Sequence, residues 1–316
     1  MLIRSLKNKM PNLRIYVNNP SGILKKDLNW EGVLEENISR FSDFESSKNA
    51  VSIGIHTNNT TVLSNSGVRV WIDLLKFEKR RLLNEDEIGE LKESYKIGSE
   101  KVILGGSLSI SDFGALKPSL ERYVFQNKNS KIILVPRESP NWFCRELDGL
   151  NYETDKESIN GNKNFMIVTK EGILDKLYSL CDISLVGNSF PGSNNLQNPL
   201  EPAFYGKRIL VGKESHDWNK IAFQGLKESG LLKCISYNNP KFEENLFNEL
   251  VREQDSEQLK VQQDSAKKFI ESMQGFGDVY ANIIQKFLYH DLKDWDKKLL
   301  MGPPSWDYEY LKRNFS

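Results

Sequence analysis

Residues 181–213, CDISLVGNSFPGSNNLQNPLEPAFYGKRILVGK, constrain the fold more than any other part of the chain. DISLVGN reads as a buried strand, and a loop of Gly, Ser and Asn follows it. Asn198-Pro199-Leu200-Glu201-Pro202 opens a short helix, and RILVG closes the unit as a second strand after a turn at Gly206. Strand, polar loop, helix and strand make a βαβ unit, because parallel strands need a crossover connection. The loop then leaves the carboxyl end of a parallel strand, where open α/β sheets bind ligands. A carboxylate one turn into the helix suits sugar hydroxyls, and the free N–H groups at its start suit an anion.

The same alternation runs through the preceding and following residues. KVILGGS (101–107), KIILVPR (131–137), NFMIVT (164–169) and KCISY (233–237) read as strands. Helical spacing covers 111–126, 141–150, 171–180 and 217–230, then about 240–252 and 258–288. The polar stretch 151–163 reads as a loop. Asp112 suits the positive end of its helix dipole, and Gly230 fits a helix C-cap. Strands alternating with helices predict an α/β fold, a Rossmann-type parallel sheet with helices on both faces. Residues 1–95 are less regular, with strand-like runs at 13–17, 50–57 and 68–75 and a helical pattern between 23 and 41.

Charge excludes one class of partner. The 43 Lys and Arg balance 43 Asp and Glu, so no global basic field points to nucleic acid. Cys144, Cys181 and Cys234 are odd in number and far apart, which argues against a disulfide framework and for a reducing compartment. His56, His216 and His290 are scattered, so no metal site is expected. No apolar run approaches membrane-spanning length, and MLIRSLKNKM lacks the apolar core of a secretory signal. Peripheral contact of that segment with a membrane surface stays open.

Asp182, Gly187, Ser189 and Asn198 to Ala203 resemble the C-terminal half of the Kdo (3-deoxy-D-manno-octulosonic acid) transferases. Those are GT-B glycosyltransferases that add Kdo to lipid A precursors. Their run reads Asp, strand, Gly-Gly-Ser, Gly-rich loop, His-Asn-Pro-Leu-Glu-Pro-Ala. GGS at 105–107, VPR at 135–137 and the closing FIESMQGFGDVYANIIQKFL also match in order, and LLKFEKRRL near 74–82 is similar to the interdomain link. The similarity covers about residues 70–288, and NPLEP is its most specific motif. Departures are clear. Gln197, Ser109 and Glu138 stand where the family has histidines, Ile110 stands for an acidic residue, and Gly212-Lys213-Glu214 replaces Gly-Pro-His. The family's Gly-Glu segment, which carries the catalytic base, aligns with no residue here. The resemblance implies a shortened acceptor-side α/β region over 1–95, a nucleotide-sugar-binding domain over 96–288 in a GT-B arrangement, and a C-terminal arm over 289–316.

Each candidate site residue carries two readings. Asn198 and Glu201 fit a helix capping box, with Pro199 at the first helical position. The resemblance instead makes Glu201 an acceptor for ribose or sugar hydroxyls and Asn198 its support. Gly106 and Ser107 either let a phosphate approach the backbone or simply make a tight turn. Arg137 binds an anion or forms a surface salt bridge with Glu138 or Glu146. Gly187, Asn188 and Ser189 hold a donor or serve ordinary turn chemistry. For Lys213 and His216 surface exposure is the default, and for Trp142, Trp218 and Trp306 core packing is.

The resemblance implies transfer of Kdo from CMP-Kdo to a lipid A-like glycolipid, with no metal or other cofactor. The acceptor hydroxyl attacks the anomeric carbon as CMP leaves. An inactive nucleotide-sugar-binding protein and a GT-B enzyme with another donor are the alternatives. The implied location is the cytoplasm or the inner face of the cytoplasmic membrane.

Overall fold

The computed structural model describes residues 77–285 apart from 79, 158, 192–195, 215–218, 254, 277, 280 and 283–284. It also describes the backbone of four short strands nearer the N-terminus. Strands β1 (Ile15–Tyr16) and β2 (Ile38–Ser39) pair in parallel, as do β3 (Ser52–Gly54) and β4 (Arg69–Trp71). Three of these fall inside the runs read as strand-like. Strand β2 corrects the end of the helical pattern at 23–41. Ile38 and Ser39 are weak helix formers, and a parallel neighbour pairs with them.

The chain divides into two compact units, Arg80–Glu271 and the pair of segments Met1–Lys79 with Ser272–Ser316. The first opens with α1 (Glu85–Ser94), which the irregular reading of residues 1–95 passes over. Asn84 caps it in a full capping box with Glu87, and Glu85, Asp86 and Glu87 fill its first turn. That Asn-x-x-Glu signal stands in the sequence.

There follow β5 (Lys101–Leu108), α2 (Ile110–Gln126), β6 (Ser130–Pro136), α3 (Pro140–Glu146), β7 (Tyr152–Thr154) and β8 (Phe165–Ile167). Next come α4 (Leu174–Leu177), a 3-10 turn (Tyr178–Leu180), β9 (Ile183–Val186), α5 (Leu200–Phe204) and β10 (Arg208–Val211). The unit ends with α6 (Lys220–Glu228), β11 (Leu232–Cys234), α7 (Phe242–Val251) and α8 (Ser256–Ser272). The strands form one seven-stranded sheet in the order β11-β10-β9-β5-β6-β8-β7, parallel throughout. The Rossmann-type α/β expectation is borne out.

Alternation along the strands places the two cores. Val102 and Leu104 join Ile133, Met166, Leu177 and Tyr178 on one face. Ile103, Ile132 and Leu185 join Phe113, Leu116 and Leu246 on the other. Covering both faces explains why the strands read as unbroken apolar runs.

The polar stretch 151–163 contains the edge strand β7, where a loop was expected. A buried ion pair accounts for it. Lys131 Nζ on β6 donates to Glu153 Oε1 at 2.9 Å and to the carbonyls of Gly161 and Lys163 at 3.2 and 2.9 Å. Glu153 Oε2 in turn accepts the N–H groups of Asn160 and Gly161. Both ions are therefore fully bonded, the condition under which such a pair survives burial.

Candidate functional site

From β5 the chain moves to β6 and β8, then returns to β9 on the other side of β5. The direction of winding thus reverses between β5 and β9, the place where open sheets form a crevice. Gly105-Gly106-Ser107 ends one strand and Gly187-Asn188-Ser189 follows the other. Gly187 N donates to Gly106 O at 2.9 Å. A Cβ on Gly187 would lie 2.1 Å from Ser107 O, and one on Gly106 would lie 2.2 Å from Tyr178 Oη. Close backbone approach therefore requires Gly187, and the Tyr178 side chain requires Gly106. Ser107 and Asn188 each sit at φ 55°, in the left-handed region that few non-glycine residues enter.

Asp112 holds this arrangement. It is fully buried in the first turn of α2. Its Oδ2 accepts the Ser109 N–H and hydroxyl at 2.9 and 2.7 Å and the Asn188 N–H at 2.8 Å, while Oδ1 accepts the Phe190 N–H at 3.0 Å. One carboxylate thus fastens the turn after β5 to the loop after β9. From sequence Asp112 reads only as a partner of the helix dipole, because Asn188 and Phe190 are 76 and 78 positions away.

The rest of the loop is closed internally. Ser189 Oγ donates to Val186 O and accepts from Gly212 N, so its hydroxyl is used within the fold. Gln197 N donates to Gly187 O, and Asn219 Nδ2 donates to the carbonyls of Leu196 and Gln197.

Glu201 escapes the capping box that the sequence allows. Helix α5 begins at Leu200 with Pro199 as its N-cap, and Pro199 makes no side-chain cap bond. Asn198 Oδ1 accepts the Leu200 N–H at 3.1 Å in a local turn. Glu201, a quarter exposed, instead faces Arg80, with Oε1 3.7 Å from Nη1. Burial pushes its carboxyl above the usual range; Arg80 opposes this and Asp175 adds to it. Tyr178 lies between Glu201 and the glycine turn. Its phenol is held well above its ordinary value first by burial and then by the Glu201 charge.

Arg137 is exposed at the end of β6, and its N–H donates to Leu108 O at 2.8 Å. Its guanidinium has no ion-pair partner among the described residues. Glu146 pairs with Lys117 instead, at 3.2 Å. Trp142 packs edge-on against Phe113 and Phe143, as the core reading expects. Lys213 is half-buried after β10. His216, Trp218 and Trp306 lie outside the described residues. Two cavities, of about 760 and 450 Å³, lie at Arg122 with Tyr237 and Phe242 and at Phe125 with Leu150 and Phe165. None of the eight candidate residues lines either.

The fold thus brings Gly106, Ser107, Gly187, Asn188 and Ser189 together as crevice backbone, sets Arg137 beside them, and turns the Glu201 carboxylate toward Arg80. A carboxylate accepts hydroxyl groups, and an unpaired arginine suits a phosphate. Ser109, at the position of a family histidine, is committed to capping α2 and to Asp112.

No family profile matches the chain. A bifunctional glycosyltransferase/methyltransferase of Fusobacterium nucleatum is 30% identical over 166 residues, covering 49% of this chain and 23% of that protein. The 3-deoxy-D-manno-octulosonic acid transferases of Rickettsia conorii and Rickettsia bellii are each 27% identical, over 68% and 73% of this chain. The matches span 46% and 53% of those proteins, so the chain corresponds to about half the length of these relatives. Among solved structures, the C-terminal CMP-Kdo binding domain of WaaA from Acinetobacter baumannii has 19% identity and a TM-score of 0.46, covering 59% of this chain and 97% of that domain. The resemblance to Kdo transferases read from the residues is borne out: the chain is a divergent Kdo transferase-like protein.

Proposed function

We propose that this protein is a glycosyltransferase of Kdo transferase type whose β5–β9 crevice holds a nucleotide-sugar donor, CMP-Kdo. The acceptor would be a lipid A-like glycolipid, met in the cytoplasm or at the inner face of the cytoplasmic membrane. The observation that carries the reading is Glu201. Its carboxylate takes no part in a capping box and stays half-buried beside the crevice, with Arg80 3.7 Å away as its ion-pair partner, which leaves acceptor positions for a ligand's hydroxyl groups. The Rickettsia transferases align across this region, which favours Kdo over other sugars. Glu201 would accept ribose or sugar hydroxyls, with Asn198 setting the turn before it. Arg137 and the backbone at Gly106 and Ser107 would face the departing phosphate, where charge develops as the glycosidic bond breaks.

A second reading, a nucleotide-sugar-binding protein without turnover, is favoured by the engagement of Ser109 where the family has a histidine. Calorimetric titration with CMP, UDP and CMP-Kdo, followed by a transfer assay with a lipid A-like acceptor, separates the two. Transfer supports the enzyme; CMP binding without transfer supports the binding protein; silence toward every nucleotide defeats both. Glu201→Ala should weaken CMP binding about tenfold or more, since a charge-assisted hydrogen bond is lost. It should leave the melting temperature near that of wild type. Unchanged affinity with lowered melting would return Glu201 to a structural role.

A further inference from the structure

Two arginines stand next to each other before α1, and the fold gives them different partners. Arg81 is committed to Glu87 at 2.7 Å, on α1 itself. Arg80 turns to Glu201, with its Nη1 3.7 Å from Oε1 and its guanidinium carbon 5.7 Å from the centre of the Phe204 ring. That separation exceeds the about 2.7–2.9 Å of a closed charge-assisted bond, so the pair is open. Arg80 is 40% exposed and Glu201 25%, which leaves room for a ligand group at both ends.

A donor that carries a phosphate meets an electrostatic obstacle here. Glu201 is an anion at the crevice, and Asp175 adds to the negative field around it. Tyr178 and Asn198, the other groups close to Glu201, bring no positive charge. Like charges a few ångströms apart in a half-buried site repel strongly unless a cation stands beside them. Arg80 is that cation. Its planar fork can face a carboxylate on one edge and a phosphate on the other.

We propose that Arg80 is a specificity-determining residue of the donor site: it neutralises Glu201 toward a phosphate-bearing ligand and makes the site prefer a nucleotide to its nucleoside. The proposal rests on the donor-site reading above and adds the residue that selects for the anion.

The test is calorimetric titration of the full chain with CMP and with cytidine, for wild type, Arg80→Ala, Arg80→Lys and Arg137→Ala. Melting curves confirm that each variant is folded. Arg80→Ala should lower CMP affinity about five- to tenfold, discounted for exposure of the pair, while cytidine affinity stays within about twofold. Arg80→Lys should recover part of the preference for CMP. Equal losses for both ligands, or no loss for either, overturn the proposal while leaving the donor site standing. An Arg137→Ala variant that alone abolishes the preference overturns it in favour of Arg137. Wild type that binds neither ligand overturns the donor-site reading and this proposal with it.

Discussion

Replacing Asp112 by asparagine keeps its size and removes its charge, and the consequences follow from four bonds. Oδ2 now accepts three protons, from the Ser109 N–H and hydroxyl and the Asn188 N–H, while Oδ1 accepts the Phe190 N–H at 3.0 Å. Asparagine has one acceptor oxygen. Seated in place of Oδ2, it turns its amide nitrogen toward the Phe190 N–H, donor against donor. A buried unsatisfied N–H costs about 1–3 kcal/mol, and turning charge-assisted bonds into neutral ones removes roughly another 1 kcal/mol. The expected loss is about 2–4 kcal/mol, a large share of the roughly 5–15 kcal/mol that stabilises most domains. For a unit of this size that lowers the melting temperature by roughly 5–15 °C. Asp112→Ala leaves two loop N–H groups unpaired and should cost about 4 kcal/mol or more. Urea denaturation followed by tryptophan fluorescence measures both, with Asp264→Asn on the exposed side of α8 as control. An Asp112→Asn midpoint within about 0.5 kcal/mol of wild type would falsify the argument that this carboxylate ties the two loops together.

Three further outcomes are expected. Lys131→Met strands the Glu153 carboxylate in the sheet edge and should cost about 3–5 kcal/mol, most of it recovered in Lys131→Met with Glu153→Leu; chemical denaturation checks both, and no recovery would show that the pair is not the unit of stability. Gly187→Ala should destabilise more than Gly106→Ala, because its Cβ meets the Ser107 backbone while that of Gly106 meets the side chains of Tyr178 and Leu174; Tyr178→Phe should therefore ease Gly106→Ala in part and do nothing for Gly187→Ala in thermal melts. Glu201 titrates above the ordinary 4.5 in the folded protein, mainly through burial. Its contribution to stability is thus complete below that value and is lost as pH rises through the folded one. Glu201→Gln should melt higher than wild type at about pH 7 and lose the advantage toward about pH 4; a gap that widens in acid would contradict the direction of the shift.

Much of the fold was legible because its signals are local. Apolar runs bounded by Gly, Pro and Asn mark β5, β6, β8, β9 and β10, and the resulting parallel sheet follows from their alternation with helices. Strand β7 was not legible. Tyr-Glu-Thr is a polar tripeptide, and it becomes a strand only because Lys131 on β6 and the N–H groups of Asn160 and Gly161 bond its glutamate. Helix α1 is a different case, since the Asn84–Glu87 capping box is a local signal that stands in the sequence itself.

For the site, the amino-acid sequence already identifies which segments meet at the crevice. GGS and GNS follow buried strands, and the carboxyl ends of neighbouring parallel strands must lie on one edge of the sheet. It also determined the Kdo transferase resemblance, carried by NPLEP and the order of motifs around it. What each side chain does there follows from the packed fold. Ser189 turns inward to Val186 and Gly212. Asp112 reaches across to a loop more than seventy residues away. Glu201 leaves the capping box open to it and faces Arg80. The physical reason is common to all three. A polar side chain takes the best partner within hydrogen-bonding reach, and in a doubly wound sheet that partner comes from a distant part of the chain, so its role follows from packing and not from spacing.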